Sequence, residues 1–202
     1  MHKVHRRHFS GLLLGAALLS ALPAVAAEKV SLRLKWVAQA QFAGYYVAKA
    51  KGFYDQAGLD LTINPGGPNL NVETLVASGN DTFGVAGGTE GVLLAREKGL
   101  PLVCIGVAVQ KTPFTYVTYK DSGIKTVKDF KGKKVGVWCC GNQYELYAAL
   151  VKNKMSPDNA DDLTIVNQPF DMNLFLNREV DAAAAMTYNE LAQVLETKNP
   201  KT

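Results

Sequence analysis

The stretch Lys133-Lys134-Val135-Gly136-Val137-Trp138-Cys139-Cys140-Gly141-Asn142-Gln143-Tyr144-Glu145-Leu146 reads as strand, sharp turn and helix. Val135 and Val137 are β-branched and run into an aromatic, which suits a buried strand. Gly141-Asn142 is turn chemistry; Asn142 is a candidate helix cap, with Glu145 three residues on where a capping-box carboxylate belongs. Leu146, Ala149, Leu150 and Val151 give the helix an apolar face. In open α/β sheets small ligands bind at the carboxyl ends of strands, beside helix N-termini. Trp138 to Asn142 is therefore a candidate binding loop, read against the alternative of an ordinary strand-to-helix connection.

Working outward, the same plan repeats. Residues 30–36 alternate apolar and polar side chains, as a strand with one buried face does. A helix with Tyr45, Tyr46, Val47 and Ala48 follows, then a strand at Asp60 to Ile63, a helix at Val72 to Ala77, a strand at Phe83 to Ala86 and a helix at Gly91 to Lys98. Pro101 to Val109 reads as a fourth strand, with Cys104 a small buried hydrophobe within it. After Pro113 the pattern restarts: a strand at Phe114 to Tyr119, the strand–turn–helix quoted above, a strand at Leu163 to Val166, a helix at Met172 to Asn177, a strand at Val180 to Met186 and a last helix opened by Thr187-Tyr188-Asn189-Glu190. Alternation of strands and helices predicts a mostly parallel sheet with helices on its faces. The last residues supply no strand that returns to the first unit.

Charge and targeting bound the function. The 202 residues carry 22 Lys and Arg against 18 Asp and Glu, for a formal net charge of +4. Residues 1–27 hold Lys3, Arg6 and Arg7 and no acid, so the rest is near neutral, with 19 basic and 18 acidic residues. No basic patch of the kind nucleic acid needs is visible. Residues 1–27 read as a signal peptide: a basic start, an apolar run from Gly11 to Leu22, and Ala24-Val25-Ala26 as a small-x-small cleavage site. Arg6-Arg7-His8-Phe9 is similar to a twin-arginine export signal. The expected destination is a bacterial periplasm, with no stable membrane insertion of the mature chain. The adjacent Cys139 and Cys140 are open to three readings: a strained vicinal disulfide, a soft-metal site, or the lining of a tight turn, the last preferred. Lys125 to Lys134 is read as a solvated basic face, with permease docking as the alternative.

Lys35-Trp36, the run Gly44-Tyr45-Tyr46-Val47-Ala48-Lys49-Ala50-Lys51-Gly52-Phe53-Tyr54, Gly58-Leu59, Phe130-Lys131-Gly132-Lys133-Lys134-Val135-Gly136-Val137 and Ala185-Met186-Thr187-Tyr188-Asn189-Glu190, in that order, resemble the SsuA/THI5-like (NMT1-like) substrate-binding proteins of ABC importers. The resemblance implies an α/β, periplasmic-binding-protein type II fold, with two α/β lobes around a ligand cleft. Residues 28–112 would form lobe one and 113–202 most of lobe two. Family members continue past the point where this sequence stops, so it also implies a first lobe missing its closing elements.

The family includes binders of sulfonates, nitrate, taurine, thiamine-precursor pyrimidines and flavins, and an enzyme branch that makes the thiamine pyrimidine phosphate with iron and pyridoxal phosphate. The resemblance to that branch places its substrate histidine in the first loop, where this sequence has Phe42, and its cysteine run at the turn reduced here to Cys139-Cys140. Binding without catalysis is the preferred expectation, with no catalytic residue and no cofactor. Permease and ATPase subunits would be the partners of a small-molecule binder. Trp36, Tyr45 and Trp138 are the candidate stacking surfaces for a planar heterocycle. Gln39 and Asn142 would read its edge, Glu145 or Glu190 would accept from an amine, and Tyr188 stands beside Glu190. Each also has a structural reading, as core residue, helix cap or solvated carboxylate. Gly88 and Thr89, at a helix start, are the candidate anion site that a sulfonate or nitrate would use.

Overall fold

The computed structural model describes residues 26–197; the signal-peptide reading lies almost wholly outside them. Two sheets organise the chain. The first has three parallel strands in the order β2-β1-β3: β1 (Glu28–Arg33), β2 (Leu59–Asn64) and β3 (Phe83–Gly84). Helices α1 (Ala43–Ala50) and α2 (Phe53–Gln56) link β1 to β2, α3 (Val72–Ala77) links β2 to β3, and α4 (Thr89–Glu97) follows. The second sheet has the order β4-β7-β5-β6: β4 (Phe114–Thr118), β5 (Lys133–Val137), β6 (Leu163–Asn167) and β7 (Ala182–Met186). Its helices are α5 (Gln143–Lys152) and α6 (Asn173–Leu176), with α7 (Glu190–Glu196) after β7. Strand β5 runs parallel to β6 and β7, whereas β4 runs antiparallel to β7.

The expected alternation of strands and helices is present, and the predicted strand–turn–helix at 133–146 is β5, a turn and α5. The crossovers place α/β units on the sheet faces as parallel pairing requires. One apolar cluster joins both sheets: Leu32, Leu34 and Leu61 from the first pack in the same core as Val135, Val137, Leu146 and Leu150 from the second. A second cluster fills the other face of the second sheet around Val117, Phe175 and Val180. β7 opens with four consecutive buried alanines, Ala182 to Ala185, so a chain with little side-chain volume lies flat between β4 and β5.

The fourth strand expected over 101–109 is absent. The segment pairs with no strand among the described residues, and Val103 and Ile105 are 78% and 79% exposed. β-branched composition supplies a surface that fits a sheet, but a strand exists only through ladder bonds to a neighbour. Leu102 alone is buried, and Cys104, expected in the core, is exposed.

Candidate functional site

The two sheets meet at the turn between β5 and α5. Cys140 adopts a left-handed backbone, φ 64°, and Gly141 has φ 127°, so the chain reverses sharply there. That turn leaves Asn142 already helical, φ −81°, with no side-chain cap bond. The expected capping box with Glu145 is therefore not formed, because a cap needs an extended residue whose oxygen reaches back to the first turn. Gln143 Oε1 instead accepts the Gly141 N–H at 2.9 Å.

Residues from the first sheet close on this turn from several sides. Lys35, just past β1, is buried, and its Nζ donates to the Cys140 carbonyl at 2.8 Å. Burial pulls the Lys35 pKa down, while the charges of Glu73, Cys140 and Cys139 pull it up; burial wins. Trp36 meets Trp138 edge to face, with centroids 5.7 Å apart. Cys139 Sγ donates to the Pro68 carbonyl at 3.2 Å. The loop that follows β2 comes close because Gly66 has no side chain: a Cβ there would sit 2.1 Å from the Leu34 carbonyl oxygen. Gly87, after β3, abuts both Lys35 and the Asn142 amide. The carboxyl ends of β1, β3 and β5 thus converge from two sheets onto one place, as ligand clefts of open α/β proteins do.

The predicted site residues divide. Trp36, Trp138 and Asn142 are brought together, all buried. The two indoles serve the core as well; Trp138 Nε1 donates to the Pro169 carbonyl, whereas Trp36 Nε1 is buried with no partner among the described residues. Glu145 accepts from Thr112 Oγ1 at 3.1 Å, and burial first, then the charge of Glu90, raises its pKa against that bond. Gln39 Oε1 accepts from Gln41 Nε2 at 2.9 Å and its carbonyl from the Phe42 N–H at 3.0 Å, and Tyr45, on α1, packs partly buried against the core. Glu190 is buried but already occupied: its carboxylate accepts the Met186 N–H at 3.0 Å and Asn189 Nδ2 at 2.8 Å. Tyr188 is half exposed, with its pKa raised by burial and then by Glu190. Gly88 precedes α4 in extended conformation and Thr89 is its first residue. Glu90 folds its carboxylate over this helix start, so close that a Cβ on Gly88 would lie 2.6 Å from Oε2.

Sequence reading missed Lys35 and Glu73. Both are charged residues in unremarkable positions, and only their burial marks them. The cysteines form a turn with free thiols. Burial, followed by the hydrogen bond with Cys139, pushes the Cys140 thiol up to about 11. Among the described residues no group of three or more His, Cys, Asp or Glu is placed to hold a metal ion.

Two α/β units meeting at their strand ends define the class: an α/β fold of the periplasmic-binding-protein type. The chain belongs to the NMT1/THI5-like family, which it matches over residues 39–201. It is 30% identical over 133 residues to the riboflavin-binding protein RibY of Chloroflexus aurantiacus, covering 64% of this chain and 38% of that protein. It is 33% identical over 110 residues to the 4-amino-5-hydroxymethyl-2-methylpyrimidine phosphate synthase of Legionella pneumophila, covering 54% and 34%. The fold matches the periplasmic aliphatic sulphonate binding protein SsuA of Escherichia coli with a TM-score of 0.62 at 22% identity, covering 84% of this chain and 54% of that one. The chain thus spans between a third and about half of each of these proteins. No helix among the described residues is long and apolar enough to cross a membrane.

Proposed function

We propose that this chain binds a small planar heterocycle of the thiamine-pyrimidine kind between its two α/β units, as the exported solute-binding component of an ABC importer whose permease and ATPase supply the energy. The observation that carries this reading is the convergence of the β1, β3 and β5 ends around Trp36 and Trp138, with the Trp36 Nε1 donor buried at that junction and without a partner among the described residues. A buried N–H without a partner is costly, and a ligand acceptor would satisfy it. The likeness to a riboflavin-binding protein and to pyrimidine phosphate synthases supports a heterocycle. Synthase chemistry is the second reading in this family; Phe42, standing where that branch has its substrate histidine, favours binding alone. A sulfonate or nitrate is disfavoured, because the Glu90 carboxylate sits where an anion would meet the start of α4.

The test is tryptophan fluorescence of the full chain titrated with 4-amino-5-hydroxymethyl-2-methylpyrimidine, with an alkanesulfonate as control. Saturation at micromolar pyrimidine, corresponding to about 8 kcal/mol, is expected, with the signal removed by Trp36→Phe or Trp138→Phe. A response to the sulfonate alone would overturn the reading.

A further inference from the structure

The binding reading makes no use of Cys139 and Cys140. They are adjacent in the β5–α5 turn, both thiols are free, and both residues are partly exposed. A hydrogen bond between the two thiols sets the sulfurs side by side. The turn is already under strain: Cys140, at φ 64°, holds a left-handed backbone that residues with a side chain rarely adopt. The Lys35 charge acts on both thiols, and a cation beside a thiol favours the thiolate, the nucleophile of cysteine chemistry. At Cys140 burial opposes this more strongly, which makes Cys140 the resolving partner of the pair.

The pair also spans the seam between the two α/β units. Cys139 Sγ donates to the Pro68 carbonyl at 3.2 Å and lies 3.9 Å from Asn69 Oδ1, both on the loop between β2 and α3. Asn167 Oδ1, at the end of β6, accepts the Cys139 N–H at 3.2 Å, and Asn167 Nδ2 reaches the same Asn69 oxygen at 3.5 Å. The Cys139 thiol hydrogen therefore joins a loop of the first unit to the turn of the second.

We propose that Cys139 and Cys140 form a reversible oxidation site, and that closure to a vicinal disulfide removes the Cys139 S–H donor and frees the loop at 65–71 from the β5–α5 turn. A hydroperoxide is the oxidant. With hydrogen peroxide, the Cys139 thiolate attacks one peroxide oxygen, the O–O bond breaks, and a sulfenic acid and one water result. The Cys140 sulfur then attacks the Cys139 sulfur; the S–S bond forms, and the sulfenic hydroxyl leaves with the Cys140 proton as a second water. Two thiols lose two electrons and two hydrogens, and one peroxide is reduced to two waters. Adjacent Cα atoms stand about 3.8 Å apart, below the roughly 4.4–6.8 Å usual for a disulfide. The bridge is therefore strained and easily reduced, the property of labile, regulatory disulfides.

The test treats the full chain carrying Cys104→Ser, which removes the exposed third thiol, with one equivalent of hydrogen peroxide. Mass spectrometry is expected to find the peptide holding Cys139 and Cys140 lighter by two hydrogens, and dithiothreitol to restore it. Hydrogen exchange at the Gly66 and Leu70 amides, bonded to Trp36 and Gly67, is expected to quicken about two- to tenfold on oxidation, the net worth of one hydrogen bond. Cys139→Ala, which lacks the donor, should show the fast exchange without peroxide. Cys139→Ser, whose hydroxyl can still donate to Pro68, should keep the slow exchange. Oxygen gained at either cysteine in place of the two hydrogens lost, a dimer cross-linked through them, or no reaction would overturn the site. A vicinal disulfide that leaves exchange in the loop unchanged would overturn its coupling to the loop.

Discussion

Asp81 is a buried carboxylate with its partners in place. Arg33 Nε and Asn64 Nδ2 both donate to it at 2.7 Å, tying β1, the end of β2 and the approach to β3 together. Burial alone would raise its pKa, but the bonds from Arg33 and Asn64 and the Arg33 charge outweigh it, and the pKa is lowered. A lowered carboxyl pKa contributes stability above the unfolded value, about 3.9, and that contribution disappears as pH falls through the folded value. Breaking a fully buried pair costs about 3–5 kcal/mol. Arg33 is partly exposed, so Asp81→Asn is expected to cost about 2 kcal/mol at pH 7, measured by urea unfolding, with the gap narrowing as pH falls below the ordinary carboxylate range. The contrast with Glu73 is informative. One carboxylate is satisfied by its own fold and the other has no partner among the described residues, a difference that neither Asn80-Asp81-Thr82 nor Val72-Glu73-Thr74 signals in sequence.

At the scale of the element, β5 and β7 show how a ladder is completed by a side chain. Their pairing is recorded at Val135 with Ala182 and Gly136 with Ala183. One residue on, Gln168 takes over: its Nε2 donates to the Ala184 carbonyl at 2.9 Å and its Oε1 accepts the Ala184 N–H at 3.0 Å. Gly136 leaves the space, since a Cβ there would meet Gln168 Oε1 at 3.0 Å. Gln168→Leu keeps the volume but leaves two buried backbone groups unpaired, each costing about 1–3 kcal/mol. A loss of about 2–4 kcal/mol is expected, with faster hydrogen exchange at the Ala184 amide as the local readout. Most elements were legible because their periodicity was strong, β5 and α5 above all. Gln168 was not, because its partners lie sixteen residues away on a strand of alanines that carry no polar signal.

At the scale of the whole molecule, an apolar face lies open. Val103, Ile105, Val107 and Val109 are all exposed on a segment without a strand partner among the described residues. Large apolar patches and unpaired backbone drive association. The full chain is expected to self-associate with rising concentration, and Ile105→Lys with Val107→Lys to shift it toward monomer in light scattering. Because both side chains are exposed, the change in unfolding free energy should stay within about 0.5 kcal/mol. The junction of the two sheets behaves differently. Lys35 with Cys140 and Trp36 with Trp138 join residues about a hundred positions apart, contacts that neither α/β unit could form alone.

By itself the sequence determined the local plan. The β-branched runs, the turn glycines and the amphipathic helices predict a repeated α/β order, since these depend on neighbours within one or two turns of chain. It also carried the motifs that place the chain in its family. Tertiary structure decided which polar groups are satisfied. Glu190 and Asp81 are filled by the fold, Glu73 and the Trp36 Nε1 are not. It also left 101–109 outside the sheet. Burial and ladder bonds depend on what lies across space, and no window along the chain contains that information.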